Sequence, residues 1–348
     1  MKINFLNIFV IISLIISSCK SDKPKPEEDD NQVVIEEGNT LLIVNEGNFQ
    51  WGNASVSVYN DLENEVGNNV FENKNNRSLG DVFQSAYILD DKIYLVVNNS
   101  SKIEVVKKEN FESIATITGL QSPRYMQAIS NNRALVTDIY ANKLHVVNLT
   151  SNQKISEIAL KGWTEQMLKV DDKVFVCNLS SEYLYWVNES NLSIDSTALT
   201  YGPNSMVVDN QGFLWVLCSG KSSESIAPKL YKINTSDMQI ESQFAFSNST
   251  PAPKNLQINQ AGTEMIYLQN DVFKLSTNST QLPGEKIISS NNNSNFYKLS
   301  IHPKNNEIYL SDALDYTQRG DVYRYSFNGT LIDKFKAGII PSHVYLLD

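Results

Sequence analysis

The side chains able to do chemistry in this chain are few, and their spacing points to binding rather than bond-breaking. The three histidines, His145, His302 and His343, stand far apart. No His-x-x-x-His, Cys-x-x-Cys or Glu-x-x-His pairing accompanies them, so the spacing supports no transition-metal site. Neither a Gly-x-Ser-x-Gly elbow nor a P-loop occurs. Asp81, Asp138, Glu165 and Asp312 fall at the ends of apolar runs, where their oxygens have the chemistry to hold a hard cation. The commoner role of a carboxylate there is to accept hydrogen bonds from turn backbone. The sequence predicts no catalytic residue, no metal ligand and no cofactor.

A second set of residues stands out by composition. Phe49 and Trp51 lie near the start, followed by Arg124, Tyr125 and Tyr140, then Trp163, Glu165, Gln166 and Tyr183. Asn204, Lys254, Asn255 and Tyr297 continue the series, and Tyr316, Arg319 and His343 complete it. Aromatic faces interleaved with polar handles suit a large planar or amphipathic ligand. Trp163, with Tyr201 and Phe296, also has a structural alternative as a wedge between packed sheets.

These residues fall just before or just after short apolar runs that recur at nearly fixed spacing. With Val44, Val96, Val136, Val176, Val216, Leu268 and Leu310 as anchors, the steps are 52, 40, 40, 40, 52 and 42 residues. A period near 40 built from short strands means one four-stranded sheet per repeat. The expected fold is all-β, a seven-bladed propeller. About ten residues before an anchor comes a Pro-x-x-Met-like step, as in Pro123–Met126 and Pro203–Met206. After it comes a second alternating strand, then a fourth. In such a ring, loops entering the first strand and leaving the second share one face, which gathers the aromatic and amide residues around the central opening. Nothing like the Pro-x-x-Met step precedes Leu41, whereas Pro341–Leu346 supplies such a strand at the far end. Pairing that strand into the first blade closes the ring and removes two exposed edges.

The N-terminus reads as a targeting segment. Lys2 precedes an apolar run, Ile3–Ile16, too short to span a bilayer. Ile16-Ser17-Ser18-Cys19 resembles a bacterial lipobox, which implies a leader over residues 1–18 and lipidation of Cys19. Residues 19–40 carry Pro24, Pro26 and the acidic run Glu27–Asp30, and read as a flexible tether. The propeller is expected over 41–348. Removing residues 1–18 leaves 28 basic against 39 acidic side chains. So acidic a chain has no electrostatic footprint for nucleic acid. Cys177 and Cys218 lie in neighbouring repeats at non-equivalent positions, which predicts buried, unpaired thiols.

Asn45-Glu46-Gly47-Asn48-Phe49 followed by Gly52–Tyr59 resembles the opening blade of Bacteroidetes surface lipoproteins with a YncE-like seven-bladed propeller. The Pro-x-x-Met steps and Leu214–Gly220 carry the same resemblance. Acidic residues shortly after the lipidated Cys resemble surface-export signals of such lipoproteins. The BtuG-like members of the group capture cobalamin and sit on a TonB-dependent outer-membrane transporter. The resemblance implies a lipid-anchored protein on the outer face of an outer membrane, holding cobalamin or another scarce ligand over a transporter. Two alternatives stay open: a surface module binding protein or glycan, and a propeller hydrolase such as a lactonase with a central calcium.

Overall fold

The computed structural model describes residue 35 and residues 38–247, 251–291 and 294–348. The leader over 1–18, Cys19 and most of the tether lie outside the described residues. No helix among the described residues is long and apolar enough to cross a membrane.

Seven four-stranded antiparallel sheets form the fold, one per repeat. The first blade takes its inner strand, Pro341–Leu347, from the end of the chain and pairs it with Thr40–Asn45. The inner strands of the second to fourth blades are Phe83–Leu89, Pro123–Ile129 and Thr164–Val170. Those of the fifth to seventh are Pro203–Val208, Lys254–Ile258 and Phe296–Ile301. Each inner strand packs against the inner strands of both neighbouring blades, so the seven enclose a central channel. The ring is closed by the C-terminal strand, as the sequence predicts.

The second strand of each blade explains why the repeat is so visible. Leu42 and Val44 enter the cluster shared with the second blade, while Leu41 and Ile43 enter the cluster shared with the seventh. A strand buried on both faces reads as a continuous apolar run, not an alternation. Seven such clusters fill the seven spaces between consecutive blades. Outer strands such as Gln153–Ala159 face solvent and alternate. Truncating a central Leu such as Leu95, fully buried, to Ala costs about 2–5 kcal/mol.

Cys177 and Cys218 are free and buried in the cluster between the fourth and fifth blades. Two details differ from the sequence reading. The first strand begins at Thr40, one residue before the expected start of the propeller. The connection from the first to the second blade carries a short helix, Val70–Asn75, flanked by Asn69 and Asn76 in the left-handed region. Its Phe71 and the nearby Leu79 are buried in the cluster between those blades, and burial of these two side chains holds it in place. Six residues are too short for helical periodicity to show in sequence.

Candidate functional site

One irregularity recurs in every blade. Where the inner strand meets the second strand, near the inner strand's N-terminal end, one extra residue is inserted. The irregular stretches hold Gln84 in the second blade, Arg124 and Tyr125 in the third, and Glu165 and Gln166 in the fourth. They hold Asn204 in the fifth, Asn255 and Leu256 in the sixth, Tyr297 in the seventh, and Ser342 and His343 in the first. A β-bulge breaks strict alternation and re-aims a side chain, and bulges gather next to functional sites. Seven at equivalent positions place a ring of polar and aromatic side chains at one end of the channel. Eight of the residues singled out in the sequence sit in these bulges, and Lys254 immediately precedes one.

The ring is cross-linked. Arg124 forms an ion pair with Glu165 of the next blade at 2.8 Å, and both side chains are largely buried. The Trp163 indole NH also donates to Glu165, and the Arg124 guanidinium lies 5.9 Å from the Trp163 ring centroid. Across the channel, the Tyr125 hydroxyl and His343 Nε2 meet at 3.0 Å. The Tyr297 hydroxyl donates to Glu46 Oε2 at 2.9 Å, while Glu46 Oε1, also buried, has no hydrogen-bond partner.

Burial dominates the electrostatics. It raises the Glu46 carboxyl above the ordinary range against the opposing charge of Lys298. The Tyr125 and Tyr297 hydroxyls are pushed well up and stay protonated. Burial, reinforced by the charge of Lys298, brings Lys254 down to about 8. Lys298 is lowered too, again chiefly by burial. His343 is held well below its ordinary value, so the imidazole is neutral. Arg124 goes the other way: burial lowers it, but Glu165, Tyr125 and Glu46 together raise it above its ordinary value.

Above this ring stands an apolar rim. Phe49, Trp51, Tyr140, Trp163, Tyr183 and Tyr316 are the exposed large aromatic side chains among the described residues. Five belong to connections on the face where the inner strands begin, and Tyr183 opens the strand Tyr183–Asn188 at that same face. The exposed aliphatics lie elsewhere: Leu62 in a turn on the opposite face, and Ile114, Ile155, Ile240, Leu331 and Ile332 in outer strands. Trp51 is 76% exposed and Phe49 63%. Their loop is nevertheless held. Gly47 turns it with φ +72, where a Cβ would meet the Ala54 nitrogen at 2.6 Å. The Gln50 amide donates to Asp81 Oδ2 at 2.8 Å, and the Asn48 side chain donates to the Tyr316 carbonyl.

Several polar residues expected as ligand handles are engaged within the protein. Gln166 bonds both ways with the Met206 backbone, linking the fourth and fifth blades. Asn204 donates to Ser219 and to the Pro253 carbonyl. Arg319 donates to the Ala337 carbonyl on the outer strand of its own blade, away from the bulge ring. Asn255 Oδ1 is buried without a partner. Of the carboxylates weighed as cation ligands, Glu165 pairs with Arg124, while Asp138 holds a turn, accepting from the Ser122, Tyr140 and Ala141 amides and pairing with His145. Asp312 accepts from the Asn295 and Leu314 amides. Among the described residues no group of three or more His, Cys, Asp or Glu is placed to hold a metal ion. Glu46 and Lys298 belong to the site but were not singled out by sequence; Glu46 immediately follows the strand Thr40–Asn45, and Lys298 follows a bulge.

No curated protein is similar to the chain in sequence. A crystal structure of a quinonprotein alcohol dehydrogenase-like protein from Bacteroides thetaiotaomicron superposes with a TM-score of 0.70 at 13% identity, covering 88% of this chain and 78% of that one. A putative 6-phosphogluconolactonase from Bacteroides fragilis gives 0.66 at 12%, covering 89% and 99%. A functionally unknown protein from Desulfotomaculum acetoxidans gives 0.61 at 12%, covering 88% and 99%. At such identities the likeness is one of fold. Residues 39–341, nearly the whole propeller, match one family profile, and the chain belongs to that family, the domain of unknown function DUF5074.

Proposed function

We propose that this protein is a binding protein rather than an enzyme, and that it holds a large amphipathic ligand against the aromatic rim. The observation that carries this reading is the segregation of exposed side chains. Among the described residues all six exposed aromatics stand on one face, around a ring of polar groups, and the other faces carry none. Clustered exposed aromatics mark recognition surfaces, because they lose little rotamer entropy on binding and bury much area. Cross-linked bulges beneath them supply the rigid support that such a surface needs.

Cobalamin is the first ligand to test, since a corrin offers a broad flat face and an amide-bearing edge. The lipobox-like Ile16–Cys19 and the acidic segment after it support a lipid anchor on the outer membrane's outer face. There a bound corrinoid would be handed to a TonB-dependent transporter. Tethering raises the local concentration at the transporter mouth without any new contact.

Calorimetric titration of the compact unit, residues 31–348, with cyanocobalamin tests the reading. One-to-one saturable binding in the nanomolar range is the expected result. Absence of heat and of thermal shift at high micromolar ligand removes the corrinoid, and a protein or glycan partner then becomes the occupant to seek.

A further inference from the structure

The charges at the channel mouth do not balance. Arg124 and Glu165 neutralise each other as an ion pair at 2.8 Å. Glu46 receives the Tyr297 hydroxyl at 2.9 Å and has Lys298 as the strongest opposing charge acting on it. Lys254 is left over. Three cations face two carboxylates, and the surplus sits on Lys254.

Lys254 and Lys298 come from the inner strands of adjacent blades, one just before a bulge and the other just after. Both ammonium groups lie over one ring: Lys254 Nζ is 5.4 Å and Lys298 Nζ 6.0 Å from the Tyr297 centroid. Neither donates a hydrogen bond to, or forms an ion pair with, any described residue. Several other lysines behave differently. Lys102 reaches Glu104 at 2.9 Å, Lys107 reaches Glu112 at 2.8 Å, and Lys286 reaches Asp271 at 2.9 Å.

Two half-buried ammonium groups beside each other, without acceptors, destabilise the fold through lost hydration and mutual repulsion. Each is pulled toward neutrality, Lys254 to about 8. Unpaired charge retained at such a cost belongs at a place where something else supplies the acceptor. An oxyanion lying between the two groups would take charge-assisted hydrogen bonds from both. Tyr297 keeps the ammonium groups together by cation–π attraction.

We propose that Lys254 and Lys298, gathered over Tyr297 in the channel mouth, form an oxyanion subsite that seats a carboxylate or phosphate group of the rim ligand. The proposal rests on the reading that the rim takes a ligand, and adds that this ligand is anionic on the side that enters the channel.

Inorganic phosphate and acetate are the probes, titrated by calorimetry into the full chain at low ionic strength, with cyanocobalamin titrated in parallel. At least one of the two anions binds saturably, with a dissociation constant on the order of 1 mM. Whichever binds more tightly identifies the group the subsite takes. Lys254→Met and Lys298→Met each weaken that binding at least about tenfold. Lys107→Met, on the opposite face, leaves it unchanged. Lys254→Met melts at or above the wild-type temperature, because it removes a half-buried charge that no carboxylate balances, so its loss of binding is not unfolding. The proposal is overturned if neither anion saturates by about 50 mM, or if the double variant binds as the wild type does. Corrinoid binding without anion binding sinks the subsite alone. Anion binding without corrinoid binding leaves the subsite standing and removes cobalamin as the occupant of the rim.

Discussion

Tyr125 and His343 stand 218 positions apart in sequence, yet the tyrosine hydroxyl and the imidazole Nε2 are 3.0 Å apart in the channel. One residue comes from the inner strand of the third blade and the other from the closing strand of the first, so the contact passes over the second blade. The rings meet edge to face, with centroids 5.9 Å apart. Burial raises the tyrosine and lowers the histidine, so a single proton is shared between two neutral groups. The pair ties the end of the chain to its middle.

That neutrality gives a pH dependence. The unfolded chain carries this histidine with a pKa of about 6.5, whereas the folded value is far lower. Below about pH 6.5 the unfolded state binds a proton that the folded state does not, so stability falls as the pH drops through that value. Burial, Lys298 and Arg124 all act against protonation in the fold. His302 is also lowered by burial and contributes with the same sign, so the informative comparison is between variants. Urea unfolding at about pH 7.5 and about pH 5.5 should show a smaller acid loss for His343→Gln than for the wild type. Equal losses would mean that His343 titrates normally in the fold.

The exposed rim separates binding from stability. Trp51 and Tyr140 are 76% and 64% exposed, so truncating both to Ala forfeits little burial. The double variant should melt within a degree or two of the wild type. Ligand binding should weaken at least about tenfold, equivalent to about 1.4 kcal/mol. A large fall in melting temperature instead would make these rings part of the blade packing.

The blades are legible in the sequence for a definite reason. A second strand such as Leu41–Val44 contributes alternate residues to two different clusters, so it is apolar throughout and repeats unmistakably. Pro341–Leu347 is equally legible, because the first repeat lacks an inner strand and only the chain's end supplies one. The site is less so. Sequence reading finds the rim aromatics and the residues following each Pro step, but not what each side chain touches. Gln166, expected to meet a ligand, is instead committed to Met206, and Arg319 to Ala337. The inserted residue is the physical cause: it breaks the period of two that assigns side chains to faces. Lys298 joins Glu46, Arg124 and Tyr297 only because the bulge at Tyr297 precedes it.

The Arg124–Glu165 pair tests how much of the ring is mutual support. Its side chains are 16% and 7% exposed, so neither charge is well hydrated. Glu165→Gln leaves the guanidinium without a counter-charge and also alters the group that receives the Trp163 indole. Breaking a buried pair from one side costs about 3–5 kcal/mol, whereas replacing both partners by apolar groups is far milder. Denaturant unfolding should therefore rank the double variant Arg124→Met, Glu165→Met above Glu165→Gln. If the double variant is the less stable, the pair contributes net stability and the desolvation argument fails here.

Ring closure carries the last prediction. The first blade owes its inner strand to Pro341–Leu347, and the neighbouring contacts reinforce the seam. Tyr59 of the first blade stacks on Phe335 of the seventh, with centroids 4.0 Å apart and planes 9° from parallel. Arg324 of the seventh blade donates to the Asp61 carbonyl at 2.8 Å while pairing with Glu307. A chain ending at Ile340 keeps these seam contacts but loses the strand. Thr40–Asn45 would then present an unpaired edge, and Val344, Leu347 and Tyr345 would leave two clusters exposed. Exposed edges template association between chains. The truncated chain should lose cooperative melting and elute as aggregates in size-exclusion chromatography. Adding a synthetic peptide of residues 341–348 in trans should restore part of the monomer, since the missing element is a single strand with a vacant register. A monomeric truncated chain that melts cooperatively near the wild-type temperature would show that the seam contacts alone hold the ring.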